Sequence, residues 1–96
     1  MKDTPPIDAN AGGAGFLDEL PKGWEGMIDS VDDASLSGLR LGSLGFLPGR
    51  QLRLARVAPM GDPIAVDIGG QRVGLRRADA RAVRLRNRRA PDGAAG

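Results

Sequence analysis

The chain has 96 residues, a formal net charge of +2 and neither Cys nor His, so it forms one small domain without disulfides or thiolate and imidazole metal ligands. Its longest charge-free runs, residues 9–17 and 41–49, are far too short to cross a bilayer, and the absence of a secretory signal predicts a cytoplasmic protein. Residues 1–33 carry a net charge of −6, whereas residues 34–96 carry +8 and use arginine as their only basic residue.

The two ends of the chain are predicted to be disordered. Residues 1–19 form an acidic tail rich in Ala and Gly, with too few large apolar side chains to offset the entropy cost of ordering. Residues 87–96 form a second tail by the same argument. The folded domain is therefore predicted to span residues 20–86.

The domain is predicted to begin with a strand followed by a helix. Residues 24–31 contain apolar side chains without a strict period of two, and Gly23 and Gly26 disfavour a helix, so a bulged strand fits best. Asp32 and Asp33 are good N-cap residues for the segment that follows. Helix-like apolar spacing is then provided by Leu36, Leu39, Leu41 and Leu44.

The end of this helix has the sequence pattern of a Schellman motif. With Gly45 as the left-handed residue, Phe46 and Leu41 occupy the two positions that make the accompanying hydrophobic contact. The next four residues, 47–50, place Pro48 and Gly49 at the centre of a type II turn.

Alternating apolar residues then predict four more strands. They are centred on residues 52–54, 64–68, 73–75 and 83–85, and Gly69 and Gly70 form a two-residue hairpin between the second and third of them. A single helical turn is predicted at residues 78–80. The fold class is therefore mainly β, a small, partly open, five-stranded barrel with one helix inserted after the first strand.

The order of these signatures resembles the FeoA family, small cytoplasmic SH3-like barrels associated with bacterial ferrous iron uptake. The matching features are LGSLGF-x-PG, a GDP corner, the Gly-Gly hairpin and VGLRRADA, within residues 20–86. The resemblance implies an SH3-like barrel that contacts the cytoplasmic G-protein region of a membrane ferrous iron transporter, without inserting into the membrane. Structural roles are expected for Leu41, Leu44, Gly45, Gly49, Gly69 and Gly70.

The residue types argue against catalysis and against a bound cofactor. Asp62, Asp67 and Asp79 are the acidic candidates, and neither His, Cys nor a nucleophile motif accompanies them. Asp67 is more simply a cross-strand partner for Arg53 and Arg72. The Gly-rich segment 68–74 lacks the Lys-Ser/Thr ending of a phosphate-binding loop.

Two groups of residues are candidates for binding a protein partner. Arginines are predicted on the solvent face of adjacent strands, and the candidates are Arg72, Arg76 and Arg84. They either meet an acidic partner, which is another protein or the acidic N-terminal tail, or form a solvated face without a partner. Phe46, Leu47 and Pro48 form an apolar turn, although Phe46 is equally a core candidate. The few aromatic residues argue against nucleic acid, but a small basic barrel that binds nucleic acid remains the alternative function. The oligomeric state is not predicted.

Overall fold

The computed structural model describes residues 13–91. They form a single antiparallel sheet in the order β1-β6-β2-β3-β4-β5. In chain order the strands are β1 Gly15–Phe16, β2 Glu25–Val31, β3 Gln51–Val57, β4 Ile64–Ile68, β5 Gln71–Leu75 and β6 Val83–Arg89. The helices are a 3-10 turn at Leu17–Glu19, α1 at Leu36–Ser43 and α2 at Arg77–Ala80.

The predicted fold class is confirmed, with one more strand than expected. The domain is mainly β, and α1 is inserted after the first long strand. The additional strand is β1, whose two residues pair with Leu85 and Arg84 of β6. The end strands β1 and β5 do not pair with each other, so the sheet is open within the described part of the chain.

The folded domain extends beyond the predicted range, residues 20–86, at both ends. Leu17, assigned to the N-terminal tail, is fully buried in the core, and β6 continues to Arg89, beyond the predicted limit at residue 86. A two-residue strand and one buried leucine are too short to produce a periodic apolar pattern. The remaining residues of the two predicted tails, 1–12 and 92–96, lie outside the described residues.

Alternation along the strands builds the core, as predicted for β3 to β6. The buried apolar side chains form one cluster; it consists of Leu17, Leu20, Ile28, Leu41, Phe46, Leu52, Leu54, Ile64, Val66, Ile68, Leu75, Ala80, Val83 and Leu85. The predicted irregularity of the first long strand is present, because β2 pairs with β6 through two shifts of register.

One of these shifts changes the direction of an arginine on β6. Asn87 has a φ of 54°, and beyond it the in-out alternation is reset, so that Arg88 turns inward and is 8% exposed. Its guanidinium covers Gly15, where a Cβ would lie 2.6 Å from Arg88 Cζ. Arg88 Nε has no hydrogen-bond acceptor among residues 13–91.

Helix α1 begins and packs differently from the prediction. Its N-cap is Ser35, whose Oγ accepts a hydrogen bond from the Gly38 N–H at 2.9 Å, while Asp32 Oδ1 accepts from the Ala34 N–H in the preceding turn. Gly38 and Leu41 are the buried residues of the helix. The leucine spacing does not mark the packed face, because the glycine permits the closest approach of the helix to the Asp32 backbone.

The helix ends in the Schellman motif that its sequence predicts. The Phe46 N–H donates to Leu41 O at 3.0 Å and the Gly45 N–H donates to Gly42 O at 3.1 Å. Gly45 has a φ of 103°, a conformation in which a Cβ is unfavourable. Leu41 and Phe46 are both buried, so the motif fixes the chain exit onto the core.

Candidate functional site

The predicted apolar turn is divided between the core and the surface. Phe46 is 0% exposed, so it belongs to the core and is removed from the candidate surface; Leu47, next to it, is 48% exposed. Pro48 is also exposed. A backbone hydrogen bond from the Arg50 N–H to Leu47 O closes the predicted turn at 3.1 Å and holds both exposed residues at the exit of α1.

Sequence reasoning missed further exposed leucines on α1 itself. Leu36 is 80% exposed and Leu39 is 58% exposed, although their spacing predicted a packed face. The available signal was Gly38 between them, because a glycine inside an otherwise good helix marks a close contact on its own side. Leu44 and Leu47 are exposed as well, and these four side chains along the helix and its exit are here called the exposed leucine surface.

Arg72, one of the predicted partner-binding residues, is bound within the sheet. Its Nε donates to Asp67 Oδ1 at 2.7 Å and its Nη2 to Asp67 Oδ2 at 3.2 Å. Arg53 Nη2 also approaches Asp67 Oδ2, at 3.5 Å, from β3. Direct pairing of these three residues across β3, β4 and β5 gives Asp67 the predicted role of cross-strand partner.

The hydrogen bond from Arg72 lowers the pKa of Asp67 below its ordinary value, and the charge of Arg53 acts in the same direction. The carboxylate therefore stays charged to lower pH, and its small contribution to stability is present above the ordinary Asp pKa and lost as pH falls through the lowered value.

We expect Arg72→Gln to raise the pKa of Asp67, measured by carboxyl-carbon NMR titration. Arg81→Gln, which removes a neighbour of Asp18 instead, is the control. An unchanged Asp67 midpoint in Arg72→Gln would contradict this assignment.

Three of the four arginines of β6 are matched by acidic residues from the first third of the chain. Arg84 Nε and Arg86 Nε lie 4.0 and 3.9 Å from the carboxylate oxygens of Asp29, and Arg89 Nε lies 3.7 Å from Glu25 Oε1. Asp29 and Glu25 belong to β2, the neighbour of β6. The division of charge along the sequence is thus partly neutralised across one strand pair.

The prediction that Arg72, Arg76 and Arg84 lie on adjacent strands is wrong. Arg72 is on β5 and Arg84 is on β6, and these strands are separated in the sheet by β2, β3 and β4. Arg76 lies between β5 and α2, where it is the N-cap residue of α2 and is exposed. The three predicted arginines therefore do not line adjacent strands.

The aromatic residues provide little surface for stacking. Phe46 is buried and Trp24 packs partly buried against the core. Phe16 is the exposed aromatic residue of the described region, and its ring is already covered by the Arg84 guanidinium, 5.7 Å from the ring centroid. This arrangement is not the row of aromatic rings on which single-stranded nucleic acid stacks.

Arg77 connects three segments of the fold. Its backbone N–H donates to Asp62 Oδ1 at 3.0 Å, and its guanidinium donates to the carbonyl oxygens of Gly61 and Asp18. Asp79 accepts a 2.5 Å hydrogen bond from Ser37 Oγ, which joins α2 to α1. All three aspartates considered above thus make structural contacts.

The donor types and their placement do not form a metal site in the part of the chain that the structure describes. The sequence has no His or Cys, and residues 13–91 contain no cluster of three or more acidic side chains positioned to hold an ion. No described helix is long and apolar enough to span a membrane.

Comparison with solved structures gives similar proteins over most of the chain. The FeoA of Stenotrophomonas maltophilia, solved with zinc and put forward as a ferrous iron transport activating factor, is 29% identical; the match covers 79% of this chain and 96% of that one with a TM-score of 0.71. The FeoA protein of Chlorobium tepidum is 33% identical over 75% of this chain and 69% of that one, with a TM-score of 0.68.

A manganese-dependent transcriptional repressor shares the fold. It is 24% identical, and the match covers 88% of this chain and 43% of the repressor, with a TM-score of 0.68. The search of curated protein sequences returned no match.

The family assignment rests on both sequence and structure. The FeoA domain profile matches residues 16–87, a range that begins at the second residue of β1, includes β2 to α2 and ends inside β6. The SH3-like architecture expected from the resemblance is that of the FeoA structures. The chain belongs to the FeoA family.

Proposed function

We propose that this protein is a cytoplasmic, non-enzymatic accessory of a bacterial ferrous iron uptake system that acts by contact with the G-protein region of the membrane transporter. The observation that carries the proposal is the FeoA domain, which occupies almost the whole described region. The structure supports a binding role because the candidate catalytic aspartates are engaged in structural hydrogen bonds. The protein presents exposed leucines and arginines to a partner.

The contact surface that we propose combines the exposed leucine surface with Arg76. Leu47 and Pro48 are held on a closed turn, so little conformational entropy is lost when a partner covers them. Exposed leucines beside a charged rim are typical of protein interfaces, where the apolar centre provides affinity and the charges provide orientation.

We do not expect this protein to carry iron itself. We expect the isolated protein to bind Fe²⁺ no more tightly than a generic acidic surface, because it has no imidazole or thiolate to form a defined transition-metal site. Anaerobic titration calorimetry with Fe²⁺ measures this. A stoichiometric site of micromolar or tighter affinity would show that the protein carries iron directly.

The proposed contact is tested by binding of the purified chain to the transporter's cytoplasmic G-protein region. Leu47→Ser and Arg76→Glu are expected to weaken binding at least tenfold, while Lys22→Glu, an exposed charge reversal elsewhere, leaves it unchanged. All three positions are exposed, so the variants keep the melting temperature of the wild type.

Nucleic acid is the competing partner for a basic surface, and the same preparation tests it. Binding through phosphate would weaken linearly with the logarithm of salt, with a slope of about 0.7 to 0.9 per contact. Submicromolar RNA or DNA binding at about 0.15 M salt, without detectable transporter contact, would refute the iron-uptake role.

A further inference from the structure

The outer face around Gly74 contains two adjoining depressions. One, of about 290 Å³, lies between α1, β5 and the start of α2, and its lining includes Leu44, Leu75 and Arg76. The other, of about 310 Å³, lies over β3 and β4, and its lining includes Arg56, Pro59 and Ala65. Pro63 and Gly74 line both depressions. The two therefore form one apolar surface, here called the Gly74 groove.

Positive charge dominates the Gly74 groove. Three of its lining residues are arginines: Arg40, Arg56 and Arg76. Its one acidic residue is Asp79, which accepts from Ser37 and lies 3.9 Å from Arg40. Within residues 13–91, neither Arg56 nor Arg76 lies within ion-pair distance of a carboxylate. These two arginines leave a charge that an acidic ligand would match.

The groove also contains a free sheet edge. β5 is the last strand of the sheet, and it pairs with β4 without a shift of register. Because a two-residue loop joins these strands, the flanking pair Ile68 and Gln71 is hydrogen-bonded, and hydrogen-bonded pairs then alternate along the ladder. The peptide groups of Arg72 and Gly74 consequently point away from β4. In the described region they make no backbone hydrogen bond outside the ladder.

Natural proteins usually protect a free edge with proline, a bulge, an inward charge or charged side chains. Of these, β5 has only the charge of Arg72, which is bound to Asp67. The absence of a side chain at Gly74 leaves the backbone accessible. An extended peptide segment satisfies all the observed features at once, because its backbone pairs with the edge while its apolar side chains enter the depressions and its carboxylates reach the arginines.

We propose that the Gly74 groove binds an extended protein segment of alternating acidic and apolar residues by strand addition to β5. The inference rests on the proposed function for the identity of the partner, which is then a segment of the transporter's cytoplasmic region. The chemistry of the groove stands on the observations above.

Gly74→Val is the decisive variant because it alters the groove and spares the fold. A Cβ at Gly74 has Ile64 O as its nearest neighbour, at 4.0 Å, and the residue is not in the left-handed region. Valine also favours a strand, so the melting temperature should stay the same or rise. The control is Gly42→Ala on α1, where an added Cβ meets no atom within 4 Å and which does not line the groove.

The first experiment follows amide NMR signals of the full chain during titration with a capped peptide of alternating glutamate and leucine. We expect shifts concentrated at Arg72 and Gly74, whose peptide groups point away from β4, weaker binding at higher salt, and no shifts with the corresponding lysine peptide. Gly74→Val should weaken binding at least tenfold, and Gly42→Ala should not. The inference is overturned if these amides do not shift, if Gly74→Val binds equally well, or if a single-stranded oligonucleotide shifts them as strongly.

The second experiment uses the transporter's G-protein region and separates this inference from the proposed function. Binding that is lost in Gly74→Val supports both. Equal binding of wild type and Gly74→Val keeps the proposed function and overturns the groove as its docking site. If the wild type binds the acidic peptide at the groove but not the transporter region, the proposed function is refuted and the chemistry of the groove is supported.

Discussion

Replacing Phe46 with alanine should destabilise the domain by about 3–5 kcal/mol, the range observed when a buried phenylalanine is truncated. Phe46 is completely buried, and its backbone N–H closes the Schellman ending of α1. The truncation leaves a cavity between the helix exit and the sheet. Since a folded domain has a total stability of about 5–15 kcal/mol, the variant is expected to lose a large share of its stability and to unfold at a much lower urea concentration.

Urea denaturation followed by Trp24 fluorescence measures this loss. Leu47→Ala, one residue further on and half exposed, is the matched control, and it should change the free energy of unfolding by less than about 0.5 kcal/mol. A Phe46→Ala variant that unfolds like the wild type, but fails to bind the transporter region, would show that Phe46 belongs to the contact surface and not to the core.

Gly38→Ala should be the next most damaging of these substitutions, with an expected loss of about 3 kcal/mol, the upper part of the usual range for overpacking. An added Cβ would overlap the carbonyl oxygen of Asp32 and lie 2.6 Å from its carbonyl carbon. Asp32 has little freedom to retreat. Its N–H donates to Ala82 O at 2.8 Å, and its carbonyl accepts from Ser35 Oγ at 2.9 Å.

Gly42→Ala, one turn further along the same helix, provides the contrast. No atom lies within 4 Å of an added Cβ there, so the higher helix propensity of alanine should stabilise the domain by up to about 1 kcal/mol. Thermal unfolding of the two variants should therefore shift in opposite directions. Equal shifts would mean that α1 does not pack against the Asp32 backbone as described.

The pairing of acidic and basic residues bears on the choice between functions. Asp29 and Glu25 lie beside the arginines of β6, so the most basic strand is not a bare cationic surface. Arg56 and Arg76, which have no carboxylate within ion-pair distance among residues 13–91, instead border an apolar groove. Charge placed around an apolar centre favours an acidic protein over a phosphate backbone.

Local sequence determined the turns and the strands of this protein. Gly45, the Pro48-Gly49 turn and the Gly69-Gly70 hairpin each require a backbone conformation that few residue types allow, so the residue type predicts the geometry. Period-two alternation likewise identified β3 to β6 and their buried side chains, because one face of each strand must leave water. These features together carried the family resemblance.

The tertiary structure alone decided which surfaces remain exposed and which charges meet. Leu36 and Leu39 have helical spacing, yet they face solvent because contact between Gly38 and Asp32 sets the orientation of α1. Arg72 and Arg84 each alternate with apolar residues of their own strand, but the order of the strands in the sheet separates them. The Gly74 groove is assembled from α1, β5 and the Pro63 corner. Long-range packing brings these segments together, and no local pattern encodes that packing.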